Sequence, residues 1–283
     1  MSARCEAPGL TADWLNGWLA ALGATILVPQ LTLRWSEDVV PFAIFEGGAA
    51  DVTAAVADAL PREEALDQSV IARQRAGCRD FPRNVPIDTY RERAQVERET
   101  HSTHLAASVS DLREDADLAN LDHGAFDVPA PRGETLWSRA RKAASLLSSD
   151  RAQWVRGSFE GVGRRMPFNG LGFDARRLVG SADPSDVYSD PVVELLCYSA
   201  LALFPTRGDG RRRILERNWT DRASQPRAFV WAAWRPPLDR WAIDAFMDLR
   251  DLDERDVVAR YGAIPYKPRG DETNRAYFAE RLG

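Results

Sequence analysis

Apolar residues near the N-terminus recur at the spacing of a helix. One helical face collects the apolar positions Trp14, Leu15, Trp18, Leu19 and Leu22. This pattern predicts an amphipathic helix over residues 10–23. Thr11 or Asp13 is the expected N-cap and Gly23 the expected stop, because residues of these types favour helix ends.

Short segments rich in strand formers predict small antiparallel sheets. Residues 31–35 alternate between apolar and polar, and residues 39–45 are rich in strand formers. The short Ser-Glu-Asp stretch between them predicts a hairpin. Further short strands are expected at 105–112, 154–159, 171–173 and 228–234.

Several other segments carry helical patterns and end signals. Further helices are expected at 51–76 (with an interruption near Pro61), 89–100, 134–148, 190–204, 238–249 and 253–261. Asp190 is the expected N-cap of the helix at 190–204, with Pro191 at the first helical position and Glu194 in the first turn. Residues 122–133 are expected to form a loop, and residues 264–283 a loop with a short helix.

These elements predict an α+β fold that is helix-rich with small antiparallel sheets. No strand–helix alternation suggests a doubly wound parallel sheet. The chain contains two similar segments, 15–29 and 192–205, each of which is a helix of buried type that ends in an apolar run and a proline. This similarity indicates two similar subdomains. The alternative is a chance likeness, because buried helices often resemble one another. We expect an N-terminal α+β region at 1–150 and a C-terminal α+β region at 151–283, with a single domain as the alternative.

Composition narrows the class of protein. The chain has 283 residues, of which 45% are hydrophobic and 28% charged, and its net charge is −5, values of an ordinary globular protein. No apolar run approaches the ~18 residues of a membrane helix, so no membrane partner is expected. Three cysteines, an odd number, and an N-terminus without the order of a signal peptide predict a reducing, cytoplasmic location.

Metal, nucleotide and catalytic motifs are weak in this sequence. Cys78, His101, His104 and His123 match no zinc spacing, and the glycine pairs at 161–163 and 170–172 match no phosphate-binding loop. We therefore predict no cofactor, no metal and no enzymatic activity. A metal-dependent nuclease that uses His101 and His104 is kept as an alternative.

Arginines form two clusters that suggest nucleic-acid contact. Only two of the 37 basic residues are lysines, and arginine forks bind phosphates in a bidentate manner. The candidate nucleic-acid-binding residues are Arg164, Arg165, Arg176, Arg177, Arg207, Arg211, Arg212, Arg213, Arg217 and Trp219. Nearby glycines let backbone N–H groups approach a phosphate, and Trp219 can stack on a base. Codon usage of a GC-rich genome, and solvated arginine loops beside core tryptophans, are the alternative interpretations.

A family resemblance follows from the order of motifs in the C-terminal half. The motifs are Gly172-Phe-Asp174, Asp190-Pro-Val-Val-Glu-Leu-Leu, Leu203-Phe-Pro and Phe229-Val-Trp-Ala-Ala-Trp234-Arg-Pro-Pro-Leu238. With the N-terminal Trp-Leu-Ala-Ala-Leu-Gly helix, residues 170–240 and 10–45 resemble the large-subunit-like accessory proteins of type I-G (formerly I-U) CRISPR effector complexes. Residues 50–150 have no counterpart in this resemblance.

The resemblance implies a function and a set of partners. It implies a non-enzymatic subunit of an RNA-guided antiviral complex that contributes to guide RNA or target DNA binding and to assembly with other CRISPR effector subunits. In such complexes base pairing reads the sequence, while protein contacts read backbone and shape. The alternative is a protein-interaction component of another bacterial defence or regulatory assembly, because exposed tryptophans among the nine in the chain would anchor interfaces.

Overall fold

The chain combines helices with small antiparallel sheets. The computed structural model describes residues 3–48, 50–67, 95, 109–110, 122–123, 126, 136–147, 150–172, 174–178, 187–204, 206–208, 214–220, 228–249, 253–266 and 276–282. Its α-helices are α1 (Leu15–Leu27), α2 (Val52–Ala59), α3 (Glu63–Asp67), α4 (Leu136–Leu146), α5 (Arg151–Glu160), α6 (Pro191–Ala200) and α7 (Arg240–Phe246). Its first six strands are β1 (Arg4–Thr11), β2 (Thr32–Trp35), β3 (Phe42–Glu46), β4 (Val109–Ser110), β5 (Asp122–His123) and β6 (Met166–Pro167). The remaining strands are β7 (Tyr188–Ser189), β8 (Thr206–Gly208), β9 (Ile214–Glu216), β10 (Phe229–Trp234), β11 (Val257–Tyr266) and β12 (Ala276–Leu282). The predicted α+β class is confirmed.

The N-terminal sheet has the strand order β1-β3-β2 and is antiparallel throughout. The pairing of Thr32 with Glu46 and of Trp35 with Ala43 confirms the predicted hairpin. Strand β1 was not expected from the pattern. Its pairing with β3 shifts register between Ala7 and Thr11, where Pro8 supplies no backbone donor for the ladder.

Helix α1 begins and ends later than the pattern predicts. Residues up to Thr11 belong to β1, and Trp14 occupies the N-cap without a side-chain hydrogen bond, so the predicted caps at Thr11 and Asp13 are wrong. Gly23 lies inside the helix rather than at its end. A Cβ atom at Gly23 would lie 2.6 Å from the carbonyl carbon of Leu196 in α6, so the glycine permits the close approach of the two helices.

The C-terminal sheet corrects two predictions. Residues 253–261 were expected to be helical and 264–283 to form a loop with a short helix, yet β11 and β12 pair antiparallel in the order β10-β11-β12. Strand β10 offers an edge of backbone groups, and pairing with it outweighs the helical spacing of the apolar residues in this segment.

The predicted strand at 154–159 is also wrong, because this segment lies in helix α5. Asp150 caps the helix by accepting a hydrogen bond from the backbone N–H of Gln153. Gly161 ends the helix with φ +82°, a left-handed conformation that favours glycine. The predicted strand at 171–173 is wrong as well, since Leu171 and Gly172 lie in a turn.

The other predicted elements fall into three groups. The structure confirms four predictions: the helix break at Pro61, the helix over 134–148, the Asp190 cap of α6 and the strand over 228–234. Part of the strand at 105–112 is present as β4, which pairs with β5 at the start of the expected 122–133 loop. Except for Gln95, the helix expected at 89–100 lies outside the described residues.

Buried tryptophans connect the two ends of the chain. The indole N–H of Trp18 donates to the carbonyl of Ala232 at 3.0 Å, and that of Trp231 donates to Ala12 at 2.7 Å. Trp234 donates in the same way to Leu33 at 2.8 Å. Side chains from both sides of residue 150 share one hydrophobic core. The boundary near residue 150 and the two similar subdomains stay predictions.

Candidate nucleic-acid interface

An open groove of about 490 Å³ lies along helix α5. Its lining residues are Gln153, Trp154, Arg156, Gly157, Glu160, Val162 and Arg164. Positions 153, 156, 157 and 160 share one face of the helix because they are three or four residues apart. At Gly161 the chain turns back, and Val162 N–H donates to the Gly157 carbonyl at 2.9 Å. This reversal brings Arg164 beside the helix.

Two arginines and a tryptophan give the groove its chemical character. The guanidinium of Arg164 lies 5.5 Å from the centre of the Trp154 ring, within the range of a cation–π contact. Arg156 lies 3.8 Å from a carboxylate oxygen of Asp51, and both side chains are more than half exposed. Such an exposed pair contributes little. Glu160 is the opposing charge in the lining, so the groove offers two cations and one anion.

Arg165 and Arg176 stabilise the chain segments next to the groove through side-chain contacts. Arg165 Nη2 donates to the carbonyls of Tyr188 at 2.5 Å and of Arg176 at 2.7 Å. The Arg176 guanidinium lies 3.7 Å from the centre of the Trp14 ring and donates to Thr11 Oγ1 at 3.1 Å. Arg165 therefore holds the segment that carries Arg164 against the Tyr188 and Arg176 carbonyls, while the Arg176 side chain is held at Trp14 and Thr11. Arg165 is exposed beside the groove.

A buried carboxylate supports the Arg176 contact. Asp174 accepts hydrogen bonds from Trp14 Nε1 at 2.7 Å and from the Arg176 backbone N–H at 2.8 Å. Burial raises the pKa of Asp174 above its usual value, and these two hydrogen bonds oppose the rise. The arrangement fixes the orientation of the Trp14 ring against which Arg176 stacks.

A second buried carboxylate connects α5 with the start of α6. Asp190 Oδ1 accepts from the backbone N–H groups of Val192 and Val193, and Oδ2 accepts from Ser158 Oγ at 2.6 Å. Burial raises the pKa of Asp190 to about 6, while the bonds from Ser158 and the backbone lower it and the nearby charge of Asp174 raises it further.

The raised pKa of Asp190 predicts a pH-dependent stability. A carboxyl group whose pKa is higher in the folded state binds its proton more tightly there, so the folded state gains stability as the pH falls from about 6 towards 4. A shift from 3.8 to about 6 corresponds to about 3 kcal/mol. We expect the free energy of unfolding of the wild type, minus that of Asp190→Asn, to increase by most of this amount between pH 7 and pH 4 in urea titrations. Parallel pH profiles of the two proteins would contradict the shift.

Glu194 organises the turn that precedes these elements. Its side chain is fully buried and accepts from Asn16 Nδ2 at 3.2 Å and from the Leu171 backbone N–H at 2.7 Å. Gly170, at φ +54°, packs against the carboxylate so closely that a Cβ atom would lie 2.6 Å from Oε1. Arg139 donates to the Leu171 carbonyl from the other side, at 2.5 Å.

The second predicted arginine cluster is only partly described. Arg217 donates to Asp244 at 2.5 Å, to Asp248 at 2.6 Å and to the Leu203 carbonyl at 2.7 Å, and its side chain is 4% exposed. The structure therefore gives Arg217 a structural role in holding α7. The side chains of Arg177 and Arg207, and all of Arg211, Arg212 and Arg213, lie outside the described residues.

Trp219 is half-buried among aromatic rings rather than fully presented to solvent. Its ring centre lies 5.7 Å from that of Phe126 and 5.3 Å from that of Phe229, both in edge-on geometry. The remaining part of Trp219 lines a second cavity. The structure does not bring Trp219 into the groove along α5.

Arg156 and Trp154 are the groove residues that sequence reasoning missed. They were assigned to a strand, in which their side chains would point to one face together with Ser158. The signal that identifies the helix is the pair of end residues, Asp150 and Gly161. With the helix assigned, the spacing of 153, 156, 157 and 160 follows directly.

The alternative metal site is not part of the described structure. Cys78, His101 and His104 lie outside the described residues, and only the backbone of His123 is described. Within the described ranges no group of three His, Cys, Asp or Glu side chains is placed to hold a metal ion. In the same ranges no helix is both long and apolar enough to cross a bilayer.

Comparison of the chain with protein-family models, with curated proteins and with solved structures found no match.

Proposed function

We propose that this protein is a non-enzymatic, nucleic-acid-binding subunit of a CRISPR type I RNA-guided antiviral complex. The observation that carries the proposal is the groove along α5, whose lining includes Arg156, Arg164 and Trp154, with the Arg164 guanidinium 5.5 Å from the centre of the Trp154 ring. Two guanidinium groups and an aromatic ring in one groove suit a strand of nucleic acid, because phosphates bind the arginines and a base can stack on the ring. The family resemblance of residues 170–240 supports the assembly part of the proposal.

The groove would contact the backbone of guide RNA or target DNA rather than read its sequence. Arg164 and Arg156 bind phosphates, and Arg165 positions its neighbour Arg164 through its bonds to the Tyr188 and Arg176 carbonyls. The exposed guanidinium of Arg165 adds positive charge beside the groove. Arg211, Arg212 and Arg213 remain proposed as a second contact. A net charge of −5 fits a subunit that binds nucleic acid through one basic face.

The salt dependence of binding tests the groove. We expect the full-length chain to bind a single-stranded oligonucleotide with an affinity that falls steeply with salt. The double variant Arg156→Ala/Arg164→Ala removes two phosphate contacts, so the slope of log affinity against log salt should decrease by about 1.5 and the affinity by about tenfold in ~0.1 M salt. Fluorescence anisotropy across a salt series measures both quantities.

Matched variants separate the groove from general charge effects. Arg255→Ala removes an exposed arginine that is already paired with Asp253, and it should leave both quantities unchanged. Arg211→Ala/Arg212→Ala/Arg213→Ala tests the second contact in the same way. Equal slopes in the groove variant and the wild type would overturn the groove assignment. Purification of the tagged chain from its native host tests the assembly part, where short repeat-bearing RNAs and effector subunits should be recovered.

A protein-interaction component is the second candidate. The β2–β3 turn exposes Val39 and Val40, and Arg281 Nη1 lies 3.5 Å from the Val39 carbonyl, so this turn lies beside β12. Ile264 and Leu282 are exposed on the adjoining sheet. Exposed apolar side chains of this kind favour a protein interface. Absence of oligonucleotide binding by the wild type would favour this function over nucleic-acid binding.

A further inference from the structure

A second cavity, of about 320 Å³, lies between strand β10, the 217–220 turn and the end of helix α7. Its lining residues are Trp18, Asn218, Trp219, Thr220, Val230, Trp231, Ala232, Trp234, Phe246, Met247, Leu249 and Arg260. The volume is close to the lower end of small-molecule pockets, about 300 Å³. Trp219 and Phe246, both partly exposed, supply the aromatic surface of the wall, and Asn218, Thr220 and Arg260 supply polar groups.

The outer face of the C-terminal sheet forms one wall of this cavity. Ala232 pairs directly with Arg260, and Val230 lies two residues from Ala232, so these three side chains share a face. Arg260 is exposed. Across the opening, the Leu249 side chain is 57% exposed. The opening therefore combines an apolar side chain with a positive charge.

Asn218 places an unpaired hydrogen-bond acceptor in the wall. Its backbone has φ +65°, the left-handed region that non-glycine residues rarely adopt. In this conformation Nδ2 donates to the Val230 carbonyl at 2.9 Å, while Oδ1 is buried without a hydrogen-bond partner among the described residues. A buried acceptor without a donor is destabilising, so the position suits a ligand that brings an N–H group.

We infer that this cavity binds an unpaired nucleobase of the nucleic acid that the protein contacts, an inference that rests on the proposed function. The base stacks on Trp219, its amino or imino N–H faces Asn218 Oδ1, and its phosphate lies towards Arg260. Stacking on an aromatic side chain is tolerant of base identity because every base has a π-face. The nearby carboxylates Asp244 and Asp248 are both bonded to Arg217, which reduces their repulsion of the phosphate.

Mononucleotides test the cavity independently of the groove. We expect adenosine, cytidine, guanosine and uridine 5′-monophosphates to quench the tryptophan fluorescence of the full-length chain in a saturable manner. Ala232→Leu fills the cavity and should weaken binding about tenfold, the effect of losing one stacked base. Leu249→Ala changes an exposed side chain at the opening and should weaken binding about threefold, a smaller loss of stacking contact. Val39→Ala, at an exposed apolar side chain outside the cavity lining, should have no effect.

The outcomes separate the cavity from the groove. Quenching that is lost in Ala232→Leu, with an unchanged melting temperature, and weakened in Leu249→Ala supports the inference. If Ala232→Leu fails to fold, Leu249→Ala decides the matter, and binding equal to that of Val39→Ala overturns the inference. Absence of saturable quenching by any of the four nucleotides also overturns it. In either case, salt-dependent oligonucleotide binding that responds to Arg156→Ala/Arg164→Ala leaves the groove proposal standing.

Discussion

Gly23→Ala is expected to destabilise the protein by about 3 kcal/mol or more, although alanine is the better helix former by about 1 kcal/mol. The reason is the contact between α1 and α6. A methyl group at Gly23 would meet the backbone carbonyl of Leu196, and backbone cannot move aside as a flexible side chain can. The two helices would have to separate in the middle of the core, where Trp18 packs. Urea unfolding followed by circular dichroism measures the change in the free energy of unfolding.

Gly157→Ala is the matched control for this variant. Gly157 also lies inside a helix, α5, but the nearest atom to a Cβ there is the Val162 carbonyl oxygen at 3.7 Å, an ordinary contact distance. With space available, the helix propensity of alanine should stabilise the protein by about 0.5–1 kcal/mol. The two substitutions are chemically identical, so opposite signs isolate the helix contact. A Gly23→Ala protein as stable as the wild type would contradict it.

Glu194→Ala is expected to lower the free energy of unfolding by about 4 kcal/mol. Removal of the carboxylate leaves Asn16 Nδ2 and the Leu171 N–H without their acceptor, and each buried unsatisfied donor costs about 1–3 kcal/mol. The side chain is fully buried, so its loss also leaves a cavity. Chemical denaturation at neutral pH measures the effect.

Two further variants show whether hydrogen bonding causes the loss. Glu194→Gln keeps one acceptor oxygen and nearly the same volume, and it should cost about 2 kcal/mol because one donor still loses its partner. Glu160→Ala removes an exposed carboxylate of α5 and should change stability by less than about 0.5 kcal/mol. If Glu194→Ala behaves like Glu160→Ala, the buried carboxylate does not hold the turn at Leu171.

Local signals predicted the elements whose determinants lie close together in the chain. Asp190 followed by proline identified the start of α6, and the polar Ser-Glu-Asp stretch identified the β2–β3 hairpin, because caps and turns depend on neighbouring residues. Residues 253–261 were predicted to form a helix. They form a strand because β10 lies beside them, which no local pattern records.

Some residues of the candidate site could also be predicted from local sequence, and others depend on the tertiary fold. Arg164 was identified from its arginine-rich segment, whereas Arg156 was missed because α5 was assigned to a strand. Arg217 looked equivalent to the other arginines, and only the positions of Asp244 and Asp248 show that it is held in an ion-pair network. The cavity beside Asn218 has no local pattern, since strand β10, the turn before it and the end of α7 are brought together by folding.

The indole hydrogen bonds that join the two ends of the chain can form only late in synthesis, after β10 has been made. Trp231 bonds to Ala12, a partner 219 positions earlier in the chain. At a translation rate of ~5–20 residues per second, the N-terminal sheet and α1 leave the ribosome about 10–40 s before Trp231 is synthesised. During this interval Trp18 and Trp35 have no tryptophan to pack against. We therefore expect the N-terminal region to bind holding chaperones until β10 is made, and a chain that ends before β10 to expose the apolar surfaces that Trp231 and Trp234 would cover.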